Sequence, residues 1–184
     1  MKLAVFFPGI GYHCDKPILY FSRELATQLG YEKIINLSYT CEAHNIRGND
    51  QKMREVGEIL YRQAEQSLTE VDFTQFDEIL FVSKSVGTAV AAAYAMRHRL
   101  KCKNIWYTPL EQTFDFAPHD GIAFTGTADP WVKSGKIQEL CAGAKIPLYE
   151  YENANHSLEV GDAMENLRIL ENVITRSREY LLVS

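Results

Sequence analysis

The sequence predicts an α/β fold, a three-layer sandwich with helices on both faces of a six-stranded parallel sheet. Apolar runs of four to six residues alternate along the chain with amphipathic helical patterns, as in successive βαβ units. Most of these runs are apolar on both faces, which is what strands covered by helices on two sides require. At 184 residues the chain suits one domain, residues 1–184, burying roughly 70% of the surface its unfolded form would expose. No repeat, low-complexity tract or Pro/Gly-rich linker divides it.

The first strand, Leu3–Phe7, is stopped by Pro8-Gly9 and followed by the loop Pro8-Gly9-Ile10-Gly11-Tyr12. Ile18, Phe21, Leu25 and Leu29 then recur at helical spacing, and Asp15 is the expected cap of that helix, ahead of Pro17. A second strand, Lys33–Leu37, leads into the polar loop Thr40–Asp50 and a helix with the stripe Val56, Ile59, Leu60 and Leu68. The third strand, Glu78–Val82, passes through Ser83-Lys84-Ser85-Val86-Gly87 into an Ala-rich helix over Thr88–Ala95. The fourth, Asn104–Tyr107, precedes the loop Pro109–Asp120, whose Phe114 and Phe116 either line a pocket or pack beneath the loop; the fifth, Gly121–Thr125, precedes Gly126-Thr127-Ala128-Asp129-Pro130-Trp131. The sixth, Ile146–Tyr151, ends in a polar loop containing His156, and a last helix carries Leu167, Leu170, Ile174 and Leu181. All three stripes read as core.

Composition narrows the function. The chain is 46% hydrophobic and 23% charged with a net charge of −5, so it lacks the positive footprint that binding a phosphate backbone needs. Cys14, Cys41, Cys102 and Cys141 form no C-x-x-C pair, which argues against a zinc knuckle or a thioredoxin motif and suggests reduced thiols in the cytoplasm. Leu3–Phe7 is too short for a signal-peptide core or a membrane span. The contiguous His13, Cys14 and Asp15 are a poor metal-ligand set, and His44, His98 and His119 have no spacing partner. The expectation is a protein with no metal, no cofactor, no membrane and no nucleic-acid partner; homo-oligomerisation covering the sheet edges stays open.

In an open parallel sheet, ligands bind beyond the carboxyl ends of the strands. Ser83-x-Ser85-x-Gly87 lies there, a variant of G-x-S-x-G with small residues on both sides of the central serine. Ser85 has two readings, a nucleophile or the N-cap of the Ala-rich helix. Lys84 also has two, a solvated turn lysine or a charge at the site mouth favouring an anionic substrate. Asp129 is either an Asx-turn residue before Pro130 or an acid. His156 follows the sixth strand, and Glu159 beside it reads as a residue that caps or flanks the last helix, with a hydrogen bond near His156 as the other reading. Taken together, a serine after strand three, an acid after strand five and a histidine after strand six share one sheet edge in the order Ser, Asp, His. Serine needs a neutral imidazole to take its proton, and that imidazole needs a carboxylate to hold its tautomer. The oxyanion donors would be the backbone N–H of Val86 and that of Ile10, with Gly11 next. A dinucleotide fingerprint starting at Gly9-x-Gly11 would need its third glycine at Cys14.

On these motifs the sequence resembles the α/β-hydrolase superfamily, in particular its small lidless members similar to dienelactone hydrolases and short carboxylesterases. The resemblance rests on Pro8-Gly9-Ile10-Gly11, Ser83-Lys84-Ser85-Val86-Gly87, Gly126-Thr127-Ala128-Asp129 and Asn155-His156-Ser157-Leu158. It implies a minimal fold with strand order 2-1-3-4-5-6. It also implies a serine hydrolase of a small ester, thioester or amide, with Ser85, Asp129 and His156 catalytic. Ser85 in place of cysteine argues against dienelactone activity itself. The short fourth-to-fifth connection implies an open site with Tyr12, Gly11, Phe114, Phe116 and Trp131 as walls. The other readings are a non-catalytic small-molecule binder in the same crevice and a phosphate- or nucleotide-binding domain using the helix that starts at Ser85.

Overall fold

The computed structural model describes residues 1–133 and 135–183. The strands are β1 (Lys2–Phe7), β2 (Lys33–Asn36), β3 (Glu78–Lys84), β4 (Lys103–Tyr107), β5 (Gly121–Gly126) and β6 (Leu148–Tyr151). The helices are α1 (Pro17–Gln28), α2 (Asp50–Leu68), α3 (Val86–Arg97), α4 (Lys136–Ala144) and α5 (Ala163–Leu182). All strand pairings are parallel, in the order β2-β1-β3-β4-β5-β6 that the family resemblance implies. The order steps outward in opposite directions from β1 and β3, so the crevice above that pair is where a ligand has access.

Alternate residues of each strand feed two separate cores, as the period-2 pleat demands. Ala4, Phe6, Leu80, Val82, Ile105 and Phe124 pack against α1 and α5. Leu3, Val5, Phe7, Ile79 and Phe81 pack against α2 and α3, while Trp106 and Ala123 meet Ile137 and Cys141 of α4.

The helix faces differ from the apolar stripes in a consistent way. α1 buries Ile18, Leu19, Ser22, Leu25 and Ala26, and α5 buries Ile169, Val173, Ser177 and Leu181. A serine occupies a core position on each, because Ser22 and Ser177 hydrogen-bond the Tyr107 hydroxyl at 2.8 and 3.0 Å between the two helices. Three residues assigned to the core lie at its margin, Phe21 on α1, Ile59 on α2 and Leu167 on α5: they are 45%, 50% and 58% exposed. Asp15 does not cap α1. The N-cap is Lys16, without a side-chain bond, and the Asp15 carboxylate instead accepts from Arg23 at 3.1 Å. Glu159 does not cap α5, whose N-cap Asp162 accepts from the Glu165 N–H. The Pro109–Asp120 loop contains a 3₁₀ helix over Glu111–Phe116, and α4 is an element the stripes did not anticipate.

Candidate active site

β3 runs two residues past the expected Val82, and Lys84 is its last residue. Ser85 then takes φ 57° and ψ −129°, a conformation that a non-glycine residue holds only when its surroundings force it. The surroundings do so from both sides. The Ser85 N–H still reaches the Tyr107 carbonyl at 3.0 Å as a sheet bond, while its own carbonyl already accepts from the Thr88 N–H at 2.9 Å as the first turn of α3. Gly87 makes the close approach possible, since a Cβ there would fall onto the Phe7 and Pro8 carbonyl oxygens. Ser83, buried, meets the same demand for a small residue and donates to the Ile105 carbonyl at 3.3 Å.

The side chain of Ser85 does not cap α3. It lies 2.6 Å from His156 Nε2, and His156 Nδ1 lies 2.7 Å from Asp129 Oδ2. A carboxylate only accepts, so the Nδ1 proton sits towards Asp129 and Nε2 is left to accept from the serine hydroxyl. The other carboxylate oxygen, Oδ1, accepts the Trp131 N–H at 2.9 Å. Asp129 is thus an Asx-turn residue and the histidine's partner together. The acid turn and the histidine loop are also tied to each other: Ala128 N–H donates to the Ala154 carbonyl at 3.0 Å, and Asn153 N–H to Thr127 Oγ1 at 2.8 Å.

Burial sets the electrostatics. The Asp129 side chain is 1% exposed and that of His156 16%, and the Trp131 ring stacks on the imidazole at 5.3 Å between centroids. Burial pulls the imidazole pKa below its ordinary 6.5; the bond to Asp129 opposes this, and the charge of Lys84 adds to it. The histidine is therefore a neutral base near pH 7.

Val86 opens α3, so its N–H has no intrahelical partner and points out of the helix start beside the serine. The β1 loop is a tight turn closed by paired Gly9 and Tyr12 bonds, with Ile10 and Gly11 at its exposed tip. This turn lies directly against the serine, since a Cβ at Gly9 would be 3.1 Å from the Ser85 Cβ. No group of three or more His, Cys, Asp or Glu residues able to hold a metal occurs among the described residues.

The expected pocket walls separate. Trp131 flanks the base and lines a cleft of about 490 Å³ with Ile46, Leu110 and Lys133. Gly11 lines another, of about 360 Å³, with Ile10, Leu37 and Tyr39. Phe116 lines a narrower one, about 160 Å³, that reaches Val86 between α2 and α3. Two expectations are corrected. Tyr12 is only 9% exposed and packs in the α1/α5 core, its hydroxyl accepting the Ile18 N–H at 3.3 Å. Phe114 packs beneath its loop against the cluster of Trp106 and Ile137.

Lys84 is the largest departure. It is 1% exposed, not solvated and not at a site mouth, and its Nζ donates at 2.6 Å both to Thr108 Oγ1 and to the His156 carbonyl. The signal was strand parity: Leu80, Val82 and Lys84 point to one face, and the first two are core. Thr88 and Thr113 were also missed; their hydroxyls, 2.6 Å apart, tie the head of α3 to the 3₁₀ helix.

No protein-family model matches the chain, and no curated protein matches its sequence. Solved structures match in fold. Esterase Est1E from Butyrivibrio proteoclasticus, with ferulic acid bound, superposes with a TM-score of 0.65 at 12% identity, over 99% of this chain and 90% of that one. The Pyrococcus furiosus esterase Pf2001 gives 0.64 at 12%, over 98% and 80%. A protein of unknown function from Agrobacterium tumefaciens, described as an α/β-hydrolase candidate, gives 0.64 at 15%, over 98% and 84%.

Proposed function

We propose that this chain, which has the α/β-hydrolase fold, is a serine hydrolase that cleaves a small ester, thioester or amide through an acyl-enzyme. The observation that carries the reading is the unbroken line from Ser85 Oγ through the His156 ring to Asp129, with contacts of 2.6 and 2.7 Å. In the first half-reaction His156 Nε2 takes the proton as Ser85 Oγ attacks the carbonyl carbon, and Asp129 stabilises the imidazolium that forms. The Val86 N–H, joined by one from the Ile10 tip of the Gly9–Tyr12 turn, receives the developing oxyanion. His156 then returns the proton to the leaving group. In the second half-reaction water, deprotonated by the same nitrogen, attacks the acyl carbon; the Ser85 Oγ–acyl bond breaks, His156 returns the proton to Ser85 Oγ, and the acid leaves. No step calls for a metal or a cofactor. Three separate clefts are lined by neighbours of the serine and histidine, namely Val86, the Gly9–Gly11 turn and Trp131, which supports a small acyl group over a long lipid chain.

A fluorophosphonate with an intact-mass readout tests this. The expected result is one adduct on the wild-type protein and none on Ser85→Ala. Substitution of Ser85 or His156 each lowers ester turnover by several orders of magnitude, because such residues act as a unit. Wild-type protein that folds but takes no adduct would overturn the reading and favour a binder of small molecules in the same crevice.

A further inference from the structure

Lys84 is covalently adjacent to the serine, yet its side chain turns away from it into the core shared with α1 and α5. Its Nζ rests 5.0 Å from the Tyr12 ring centroid and donates at 2.6 Å to Thr108 Oγ1 and to the backbone carbonyl of His156. Thr108 Oγ1 donates to that same carbonyl at 3.1 Å, and Thr108 itself is held at φ 44° with its N–H on the Phe124 carbonyl at 2.7 Å. The histidine is therefore gripped twice by neighbouring residues of one strand end. Ser85 meets its ring, and Lys84 meets its backbone.

Burial of an ammonium is unfavourable, and a methionine of similar length would fill this space without that penalty. The lysine is explained by what it holds. We propose that Lys84 is a positioning residue of the Ser85–His156 pair: it fastens the histidine loop to the strand that delivers the serine, and its charge keeps the imidazole neutral until the serine proton arrives. The charged and titratable groups facing it are Asp129 and Glu159, whose fields favour its proton, and the phenol of Tyr12 beneath it; desolvation outweighs the two carboxylates and brings its pKa to about 7. An amine retains enough N–H bonds for both acceptors, so the anchoring survives loss of the proton. The charge effect acts below that pH, in the range where His156 titrates.

The proposal rests on the serine-hydrolase reading, and Lys84→Met tests it with readouts that separate the two. On a short activated ester the variant is expected to keep KM within about threefold and to lose about 10- to 100-fold in kcat, the scale of a slightly misplaced base. The acid limb of its pH profile moves to higher pH. Its thermal stability is unchanged or raised, which a merely structural lysine would not give. Wild-type kcat with an unmoved acid limb in Lys84→Met would overturn the proposal, as would unfolding of both Lys84→Met and Lys84→Gln. If the wild-type protein proves inert towards fluorophosphonate and esters, the hydrolase reading fails by itself. The lysine is then judged by NMR titration of the His156 ring, identified with His156→Gln. A ring pKa that rises in Lys84→Met supports the anchoring and charge role, and one that stays put overturns it.

Discussion

The serine, the histidine and the acid meet because each lies one turn beyond a parallel strand, but the properties of each side chain come from its immediate neighbours. His156 is the clearest case. Its lowered pKa means that the folded protein binds fewer protons there than the unfolded chain once the pH falls below about 6.5. Stability contributed at this residue therefore declines as pH drops through the unfolded value, and the imidazole stays neutral to a pH below 6.5. The rate of fluorophosphonate labelling against pH is expected to place its acid limb below 6.5. Trp131→Ala, which uncovers the ring, is expected to move that limb up towards 6.5 by relieving desolvation. Gly87 is the other residue-scale test. A methyl group at position 87 would collide with two β1-loop carbonyls, and backbone cannot swing aside as a flexible side chain does. Gly87→Ala is expected to cost about 3 kcal/mol in urea unfolding and to displace the head of α3, lowering labelling at Ser85 as well.

Among the elements, helix periodicity gave α1, α2 and α5, missed α4, and took Phe21, Ile59 and Leu167 as inward-facing when they are not. The α1 stripe Ile18, Phe21, Leu25, Leu29 treated an apolar residue as the better core candidate at each turn, whereas the packed face runs through Ser22. That choice depends on Tyr107, 85 residues along the chain, which offers the serine a hydroxyl partner. The consequence is a contrast between neighbours. Leu19, fully buried, is expected to lose about 2 to 5 kcal/mol on change to alanine. Phe21→Ser, on the half-exposed side, is expected to stay within about 0.5 kcal/mol of wild type in the same denaturant titration. β3 shows the reverse error. Its apolar run ends at Val82 but its sheet pairing continues through Lys84 to Tyr107 of β4, because hydrogen bonding to both neighbours does not require apolar side chains.

For the whole molecule, pH couples to folding through the buried lysine. The folded pKa of Lys84 is about 7 against 10.5 for the free group, so between those values the unfolded chain carries a proton that the folded protein does not. The unfavourable contribution of Lys84 is complete below about pH 7 and is relieved as pH rises through the window. Buried Cys14, Cys102 and Cys141, all pushed up to about 12, bind protons more tightly when folded and act in the opposite direction above their free value of 9. The lysine is isolated by comparison with Lys84→Met. Between pH 7.5 and 9, wild type is expected to gain on the order of 1 to 2 kcal/mol relative to the variant, and an unchanged difference in unfolding free energy between the two proteins at the two pH values would refute the buried-charge account.

The strand order was implied by the family resemblance; what the sequence by itself determined is the succession of six strands with the helices α1, α2, α3 and α5, the parallel class of the sheet, and the placement of Ser85, Asp129 and His156 on one edge of it. Those follow from hydrophobic period and chain order, which are local and directional. Tertiary structure alone decided that Lys84 points inward to the histidine carbonyl, that Tyr12 and Phe114 are interior packing, that two serines sit in a core, and that Asp129 serves its turn and the histidine with different oxygens. Most of those outcomes depend on a partner from a distant segment: Thr108 and His156 for Lys84, Tyr107 for the two serines, and His156 for Asp129. Near a strand end the same residue can be solvated or buried, and only the neighbouring strands and loops supply the hydrogen bonds that make burial favourable.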